Sequence, residues 1–454
     1  MTASREYPET LMALTDICRE SYQIPEKVFS TGNVKRGLRN ADGSGVVAGA
    51  TNLGLVHGYV LYEGEKRPDE GKLFYRGYDV EQLIDGYVKE NRYGYEECAF
   101  ILLFGKLPTQ QQLDVFRNLI SENSTLPSGF TEDVIMRAPS ANIMNKLQAG
   151  VIALYSYDNN PEDHSLENEL RQSIQLIARL PVIAAHAYSV RKHFFEDDSL
   201  LLHRPLAGLS EAQNFMRILG NDVSFDEKEA RLLDLCLVLH AEHGGGNNST
   251  FACRVLSSAN TDIYSAISAA VGSLKGSRHG GANLKVDNMF TEIKENVRDW
   301  KDDDEVRAYL EKILRKEAGD GSGLIYGMGH AIYTISDPRA VTLKKYAASL
   351  ADEKGFTDEF ALLQKIEALT PSVFTEVTGK EKYMCANVDM YSGLVYRMLG
   401  IPRELFTPLF ATARVAGWCA HRIEEILTGG KIMRPAYKTN YYVHEYVPMS
   451  QRAK

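Results

Sequence analysis

The sequence predicts a mainly α-helical protein, and two observations carry that prediction. Apolar residues recur at helical spacing through most of the 454-residue chain, and helix-start signals precede several of these runs. Strand signal is thin and lies mainly between Gly45 and Asp79, where short β-branched and aromatic runs are broken by Gly and Pro. A chain of this length fits roughly three domains, or two large ones.

Capping signals place individual helix starts. The pattern Ser/Thr-x-x-Glu/Gln, in which side chain and backbone bond reciprocally, predicts starts at Thr109–Gln112, Ser210–Gln213 and Ser224–Glu227. Asp262 and Asp302 are predicted caps of two further helices. The segment Leu232–Leu239 is apolar nearly all round, which is typical of a helix in the centre of a large helical domain.

Composition narrows the classes of function. Hydrophobic residues make up 44% and charged residues 24%, an ordinary globular mixture that excludes a wholly disordered chain. The net charge of −9 gives no bulk attraction for nucleic acid or anionic lipid. The longest apolar run, Cys98–Phe104, is far too short for a membrane span, and residues 1–20 carry four acids and no signal-peptide core. The six scattered cysteines indicate reduced thiols, so we expect a cytoplasmic protein. Because of the net charge and the short apolar runs, we expect no membrane or nucleic-acid partner.

Three histidines stand in glycine-rich surroundings, in HAEHGGGN (His243), RHGGAN (His279) and GMGHA (His330). Glycine lets the backbone turn sharply and approach a ligand closely, and a histidine at such a turn can serve as a neutral hydrogen-bond donor. Each alone is more often a structural histidine. Three in one chain favour a functional site.

Arginines and one acid accompany them. Arg339 lies in SDPRA, Arg414 lies among apolar residues in FATARVAGW, and Arg434 lies in KIMRPAY. An arginine in the position of Arg414 pairs either with an internal carboxylate or with a ligand carboxylate through a bidentate fork. Asp389, in ANVDMYSG, is either a helix cap or a base. Together these residues indicate a multi-carboxylate substrate and proton abstraction next to a carbonyl.

A metal site is the weaker interpretation of the same region. His240 and His243 share a helical face with Glu242 between them, but HAEH is not the zinc motif HExxH and no third ligand has metal spacing nearby. The G-x-G of GMGH lacks the rest of a phosphate-loop or dinucleotide pattern. We therefore expect no metal and no cofactor.

The ordered motifs HAEH, LKGSRHGGAN, GMGHAIYTISDPR and NVDMYSG, followed by an arginine-bearing helix and a late RP, resemble the citrate synthase family. The resemblance also includes GKLFYRGYDVEQLI and YEECAFILLFGKLPT, and covers roughly residues 35 to 440. It implies a citrate synthase-like fold, with a large helical domain at 1–279 and 391–454 and a small domain at 280–390 that closes over the site. It also implies a homodimer.

The resemblance further implies a Claisen-type condensation of acetyl-CoA with oxaloacetate, followed by hydrolysis of citryl-CoA. On matching positions, the catalytic residues are His279, His330 and Asp389. The oxaloacetate ligands are His243, Arg339 and Arg414, together with Arg434 from the other subunit. The positions that match the CoA contacts are Leu324, Ile325, Gly327 and Asn387.

Four departures and three alternatives accompany this assignment. Ser277-Arg278 precede His279 where Pro-Leu is common, and Leu284 follows GGAN where Glu is frequent. Gly244 stands where many members have Glu, and Thr334 stands where many have a base that helps bind the CoA phosphate. A 2-methylcitrate synthase acting on propionyl-CoA would share every named residue and need room for one more methyl group. A catalytically dead helical binding protein would lack the catalytic trio, which is intact in this sequence. A metal hydrolase would require bound zinc.

Overall fold

The computed structural model describes residues 11, 12, 15, 18, 19, 22, 24–40, 42–63, 65–220, 223–440 and 443–452. Most of residues 1–20, on which the expectation about a signal peptide rests, lie outside these ranges. The chain divides into two compact units, one of 1–49 with 433–454 and one of 50–432. The first contains the short helix α1 (Glu26–Thr31). The predicted domain boundaries at 279/280 and 390/391 stay a prediction.

The second unit is mainly helical, which confirms the predicted fold class. Its helices in chain order are α2 (Val80–Lys89), α3 (Tyr95–Phe104), α4 (Gln110–Asn123), α5 (Ile143–Ala153), α6 (Leu166–Glu196), α7 (Glu211–Leu219), α8 (Glu227–His240), α9 (Asn248–Ser258), α10 (Ile263–Leu274), α11 (Ala282–Asn296), α12 (Asp303–Leu314), α13 (Pro338–Glu353), α14 (Thr357–Thr378), α15 (Val388–Met398) and α16 (Phe406–Leu427). None of the helices in these described ranges is long and apolar enough to cross a membrane.

Most of the predicted helix starts are confirmed. Thr109 and Ser210 each form the complete reciprocal capping box, and Asp262 and Asp302 cap their helices through the side chain. The start predicted at Ser224 is wrong. Helix α8 begins at Glu227, because the carboxylate of Asp226 accepts hydrogen bonds from two backbone N–H groups, those of Lys228 and Glu229.

Helix α16 forms the centre of the second unit. Every residue from Phe406 to Glu425 is buried, and the helix packs against α6, α8, α9 and α10. Helix α8 is buried from Leu232 to His240, as its apolar sequence predicts. Polar side chains on these helices are therefore taken out of water, and each needs a partner inside the protein or in a ligand.

The strands form a small antiparallel sheet inside the predicted region. Strand β1 (Gly54–Tyr62) pairs with β2 (Glu65–Tyr75), which pairs with the short β3 (Tyr78–Asp79). The hairpin lies directly against the segment that follows His330. A Cβ on Gly58 would lie 2.6 Å from the Cα of Tyr333, and one on Gly71 would lie 2.1 Å from the carbonyl oxygen of Ser336. Only glycine allows this close approach.

Thr334 connects the same two segments. Its hydroxyl donates to the carbonyl oxygen of Gly58 and accepts a 3.3 Å hydrogen bond from the N–H of Asp69. The side chain at this departure from the family pattern thus serves to fix the segment after His330 against the hairpin.

We predict that Gly58→Ala destabilises the protein and displaces this segment, because the added methyl group meets backbone atoms that cannot move independently. Thermal unfolding measures the effect, and we expect a loss of about 1–3 kcal/mol. Gly86→Ala is the matched control, since Gly86 lies inside α2 with open space around it. That change should be neutral or stabilise by up to about 1 kcal/mol. Equal melting temperatures for the two variants would contradict the role assigned to Gly58.

Candidate active site

His243 follows the end of α8 by three residues, and a glycine makes its position possible. Gly244 has φ +84°, a conformation that side chains disfavour, and its N–H donates to Oε1 of Glu242 over 2.5 Å. Glu242 is fully buried, and the same oxygen accepts from Nε2 of His421 over 2.9 Å. The departure at Gly244 is therefore a requirement of the turn that presents His243.

His243 and His330 meet although 87 residues separate them in sequence. Their ring centroids are 5.1 Å apart and nearly perpendicular. Tyr333 joins the pair, with its ring centroid 4.6 Å from that of His330 and its hydroxyl 3.3 Å from Nε2 of His243. Burial lowers the pKa of His243 well below its usual value, and the positive charge of Arg339 lowers it further. His243 is therefore a neutral hydrogen-bonding group at neutral pH.

The backbone fixes the tautomer of His330. Gly327 and Gly329 both have positive φ, which turns the chain so that Nδ1 of His330 accepts from the N–H groups of Ile332 and Tyr333, each at 3.1 Å. A nitrogen that accepts two N–H groups carries no proton, so in the neutral imidazole the proton is on Nε2. His330 can thus donate a hydrogen bond from Nε2.

His279 lies in the turn before α11, and its tautomer is fixed in the opposite sense. Its Nε2 accepts from the N–H of Ser249 at 3.4 Å and lies 3.1 Å from the Ser249 hydroxyl, so the proton belongs on Nδ1. The hydroxyl of Ser249 also accepts from Nε1 of Trp418 at 3.2 Å. Burial, with a contribution from Arg414, lowers the pKa of His279 to about 4.

Arg414 is fully buried on α16, and only one of its three guanidinium nitrogens has a hydrogen-bond partner among the described residues. Nε donates to the carbonyl oxygen of His240, and the group lies 4.7 Å from the ring centroid of Phe410. Nη1 and Nη2 have no hydrogen-bond partner among the described residues. Burial lowers the pKa of Arg414 to about 10, against the opposing effect of Glu242. No described carboxylate forms the fork with Arg414, which favours the ligand-binding interpretation over internal pairing.

Arg339 is buried at the start of α13 and has an internal partner. Nε and Nη2 donate to the two carboxylate oxygens of Asp337, at 3.0 and 2.7 Å. Burial opposes its charge, but Asp337 outweighs burial and raises the pKa of Arg339. Nη1 makes no hydrogen bond to the residues that the structure describes, so it can still donate to a ligand. Asp337 also caps α13, which fixes the base of the arginine side chain.

Asp389 is the second residue of α15, and it is not the cap of that helix. Asn387 is the cap, since its side chain accepts from the N–H of Asp389 at 3.0 Å. The Asp389 carboxylate makes no hydrogen bond within the described ranges. Burial raises the pKa of Asp389 to about 6, while Arg339 and Arg414 act in the opposite direction. A carboxylate with a pKa in this range is suited to general-base work near neutral pH.

The start of α15 is tied to the turn that carries His330. The N–H of Asn387 donates to the carbonyl oxygen of Gly327 at 2.8 Å, and its side-chain amide donates to that of Gly329 at 3.0 Å. The N–H of Gly329 donates to the carbonyl oxygen of Cys385 at 2.7 Å. These three hydrogen bonds hold the turn that bears His330 against the start of α15, which bears Asp389.

The remaining candidate residues are placed as follows. Leu324 is exposed, Ile325 is buried, and Gly327 lies so close to α15 that a Cβ would be 3.0 Å from the Cα of Met390. Arg434 belongs to the first compact unit and lies outside helix and strand. Within the described residues, no group of three or more His, Cys, Asp or Glu side chains is arranged to hold a metal ion.

Sequence reasoning missed several residues that position the site: Ser249, Asp337, Tyr333 and Glu242. Asp337 had a detectable signal, since an acid before Pro at the first helical turn is typical of a cap. Ser249, Tyr333 and Glu242 act through contacts between distant segments, and no spacing in the chain reveals them.

Solved structures with the same arrangement of helices are citrate synthases. The enzyme from Thermotoga maritima has a TM-score of 0.72 and 29% identity, over 93% of this chain and 100% of its own. The enzyme from Thermoplasma acidophilum, solved as a ternary complex with carboxymethyl coenzyme A and oxaloacetate, has a TM-score of 0.74 and 25% identity, over 92% and 99%.

Sequence comparison finds relatives of the same family as the structural comparison. The family model for the citrate synthase C-terminal domain matches residues 42–436. The citrate synthase of Synechocystis is 35% identical over 84% of this chain and 89% of its own, and that of Haloferax volcanii is 32% identical over 93% and 100%. The chain belongs to the citrate synthase family.

We predict that His279 stays neutral above about pH 5, with its proton on Nδ1, because its pKa is lowered to about 4. The unfolded chain takes up this proton near its usual pKa of about 6.5. Because only the unfolded chain binds this proton between about pH 6.5 and about pH 4, the free energy of unfolding decreases as the pH falls through that range. NMR of histidine-labelled protein measures the titration, and a His279→Gln variant assigns the signal. Protonation of His279 near pH 6.5 would contradict the burial that the structure gives it.

Proposed function

We propose that the protein condenses acetyl-CoA with oxaloacetate and hydrolyses the resulting citryl-CoA to citrate and CoA. The observation that carries the proposal is the chemistry assembled around Asp389. A carboxylate with a raised pKa lies within the electrostatic influence of two buried arginines. Hydrogen bonds tie the start of its helix to the turn that bears His330, a histidine with a fixed donor nitrogen. Membership of the citrate synthase family supports the same conclusion.

Oxaloacetate would bind through Arg414, Arg339 and His243. The free nitrogens of Arg414 match one carboxylate as a bidentate fork, and Nη1 of Arg339 reaches a second. His243 contributes as a neutral hydrogen-bonding group. The family resemblance adds Arg434 of a second subunit, so we propose a homodimer with sites completed across the interface. Sedimentation velocity measures the assembly directly, and a monomeric active enzyme would contradict it.

The first chemical step would be enolisation of acetyl-CoA. The Asp389 carboxylate removes a proton from the methyl group while Nδ1–H of His279 donates to the thioester oxygen, where negative charge develops. A neutral histidine suits this role, and the lowered pKa keeps His279 neutral. Ser249 acts as a positioning residue, because its N–H holds Nε2 and leaves Nδ1–H for the substrate.

The second step would join the two substrates. The enol carbon attacks the keto carbon of oxaloacetate, and Nε2–H of His330 donates to the carbonyl oxygen as it becomes an alkoxide. The product, citryl-CoA, is then cleaved by water to citrate and CoA. Leu324, Ile325, Gly327 and Asn387 remain the proposed CoA contacts, mostly through the backbone.

His330, Arg339 and Asp389 all belong to the segment 280–390, whereas His243, His279 and Arg414 flank it. If this segment closes as a small domain, oxaloacetate completes the site before acetyl-CoA binds, which excludes water from the enol. We propose the cytoplasm as the location of this activity.

A thiol-release assay tests the function directly. CoA should appear only when both oxaloacetate and an acyl-CoA are present, and parallel reactions with acetyl-CoA and propionyl-CoA give the acyl preference. We predict that Asp389→Asn lowers condensation at least about a hundredfold, because the proton acceptor is lost while the shape is kept. Oxaloacetate affinity should survive, since its ligands are unchanged.

Stability separates this role from a structural one. Ionising Asp389 in the folded protein is unfavourable, so the wild type loses stability as the pH rises from about 4 to about 6, and Asp389→Asn should be at least as stable at pH 7.5. Asp304→Asn is the matched control, because Asp304 occupies the same second position of α12 behind the cap Asp302. It should leave turnover unchanged. Near-normal turnover in Asp389→Asn would remove the base from this mechanism.

A further inference from the structure

Glu242 is the acid that acts most strongly on Arg414, yet the two side chains form no ion pair. Burial lowers the pKa of Arg414 to about 10, and Glu242 opposes that effect more than any other group does. Oε2 of Glu242 and both Nη atoms of Arg414 lack a hydrogen-bond partner among the described residues. Unpaired buried charges are unfavourable, so neighbouring opposite charges in a protein interior usually pair. Other contacts must therefore keep Glu242 and Arg414 apart.

Two contacts place the side chain of Glu242 beside that of Arg414. Nε of Arg414 donates to the carbonyl oxygen of His240, two residues before Glu242. Oε2 of Glu242 lies against α16 at Gly417, one turn after Arg414, where a Cβ would be only 2.6 Å from that oxygen. Gly417 thus lets the carboxylate approach the helix that carries Arg414. Whether these neighbours pair depends on how the side chain of Glu242 is oriented.

His421, which also lies on α16, fixes that orientation. Nε of Arg254 donates to Nδ1 of His421 at 3.0 Å. A guanidinium can only donate, so the proton of the neutral imidazole is on Nε2. Nε2–H then donates to Oε1 of Glu242 at 2.9 Å, and the N–H of Gly244 donates to the same oxygen. Two donors therefore hold Glu242 in place, and Arg414 supplies neither of them.

The direction of these hydrogen bonds is fixed because Arg254 is itself anchored. Its Nη1 donates to Glu425 at 2.7 Å, and its Nη2 pairs with Glu424. Glu424 in turn accepts from the backbone N–H of Asn52 at 2.8 Å. Arg254 and the two glutamates are buried. The arrangement that holds Glu242 is therefore complete within the protein and needs no ligand.

We infer that His421 is a positioning residue that keeps Glu242 from pairing with Arg414. With His421 in place, Nη1 and Nη2 of Arg414 are available to a carboxylate of the substrate. Without it, Glu242 turns to Arg414 and competes with the substrate for the same donors. The effect on oxaloacetate rests on the proposed function, whereas the position of Glu242 in the ligand-free protein does not.

Two replacements of His421 separate its two hydrogen bonds. Asn places its amide near the position of Nδ1, so His421→Asn still accepts from Arg254 but does not reach Glu242. Gln is one methylene longer and places its amide near the position of Nε2, so His421→Gln still donates to Glu242. In calorimetric titrations of the full-length protein, His421→Asn should bind oxaloacetate at least about tenfold more weakly than the wild type. His421→Gln should bind within about threefold of the wild type.

A second change, at Glu242, distinguishes competition from a structural defect. Glu242→Gln keeps an acceptor for His421 and Gly244 and removes the charge that competes for Arg414. Added to His421→Asn, it should restore most of the lost oxaloacetate affinity, whereas a purely structural role of His421 predicts no recovery. As a single variant it keeps both hydrogen bonds and should fold, and it should bind oxaloacetate at least as tightly as the wild type.

His186→Asn is the matched control. His186 is also a buried histidine with both ring nitrogens in contact, at 3.1 Å from the Thr131 hydroxyl and 3.0 Å from the carbonyl oxygen of His203. None of these residues touches Glu242 or Arg414. His186→Asn should therefore bind oxaloacetate like the wild type, even where it lowers the melting temperature as much as His421→Asn does.

The crystal structure of ligand-free His421→Asn provides a measurement that does not depend on the reaction. We expect a carboxylate oxygen of Glu242 within hydrogen-bonding distance of Nη1 or Nη2 of Arg414. The inference is overturned by Glu242 in its wild-type position, by a double variant that binds no tighter than His421→Asn, or by weakened binding in Glu242→Gln alone. Failure of the wild type to bind oxaloacetate contradicts the proposed function instead, and it leaves the crystallographic result standing.

Discussion

The site is organised around a buried guanidinium in which only some of the N–H donors have a described hydrogen-bond partner. Arg414 lies on the most deeply buried helix of the second unit, with one nitrogen bound to the carbonyl of His240 and two without a described partner. Arg422, two turns later on the same helix, is equally buried but pairs with both carboxylate oxygens of Glu169, at 2.8 and 2.7 Å. An unpaired buried cation is unfavourable, and an anionic ligand removes that penalty.

The electrostatics of the neighbouring groups follow from that constraint. Burial lowers the pKa values of His279 and His243 and keeps both neutral, with Arg414 contributing at His279 and Arg339 more than Arg414 at His243. Arg339 and Arg414 limit the rise in the pKa of Asp389. A neutral histidine can donate a hydrogen bond from its ring N–H while keeping the proton. A carboxylate with a pKa of about 6 is ionised at pH 7 and can accept a proton. The hydrogen bonds between the segments 327–329 and 385–387 then keep donor and base at a fixed separation.

Much of this organisation was predictable from local sequence, and some was not. Thr109, Ser210, Asp262 and Asp302 begin helices because each cap requires only residues within one turn. The helix start predicted at Ser224 was wrong, because the carboxylate of Asp226, two residues later, accepts hydrogen bonds from two backbone N–H groups. The motif order indicated His243, His279, His330, Arg339, Arg414 and Asp389, and their roles remain predictions. The partners of these residues, such as Ser249 and Tyr333, come from distant segments and depend on the folded structure.

The contrast between Arg414 and Arg422 provides the most direct measurement. Calorimetric titration with oxaloacetate should show at least about thirtyfold weaker binding for Arg414→Gln, as expected when one partner of a buried charge pair is removed. The unfolding free energy of this variant without ligand should change little. Arg422→Gln should lose about 3–5 kcal/mol of stability, because buried Glu169 loses its cationic partner and keeps only the 3.1 Å contact with Nδ1 of His164. Its folded fraction should bind oxaloacetate normally. Wild-type oxaloacetate affinity in Arg414→Gln would contradict the account.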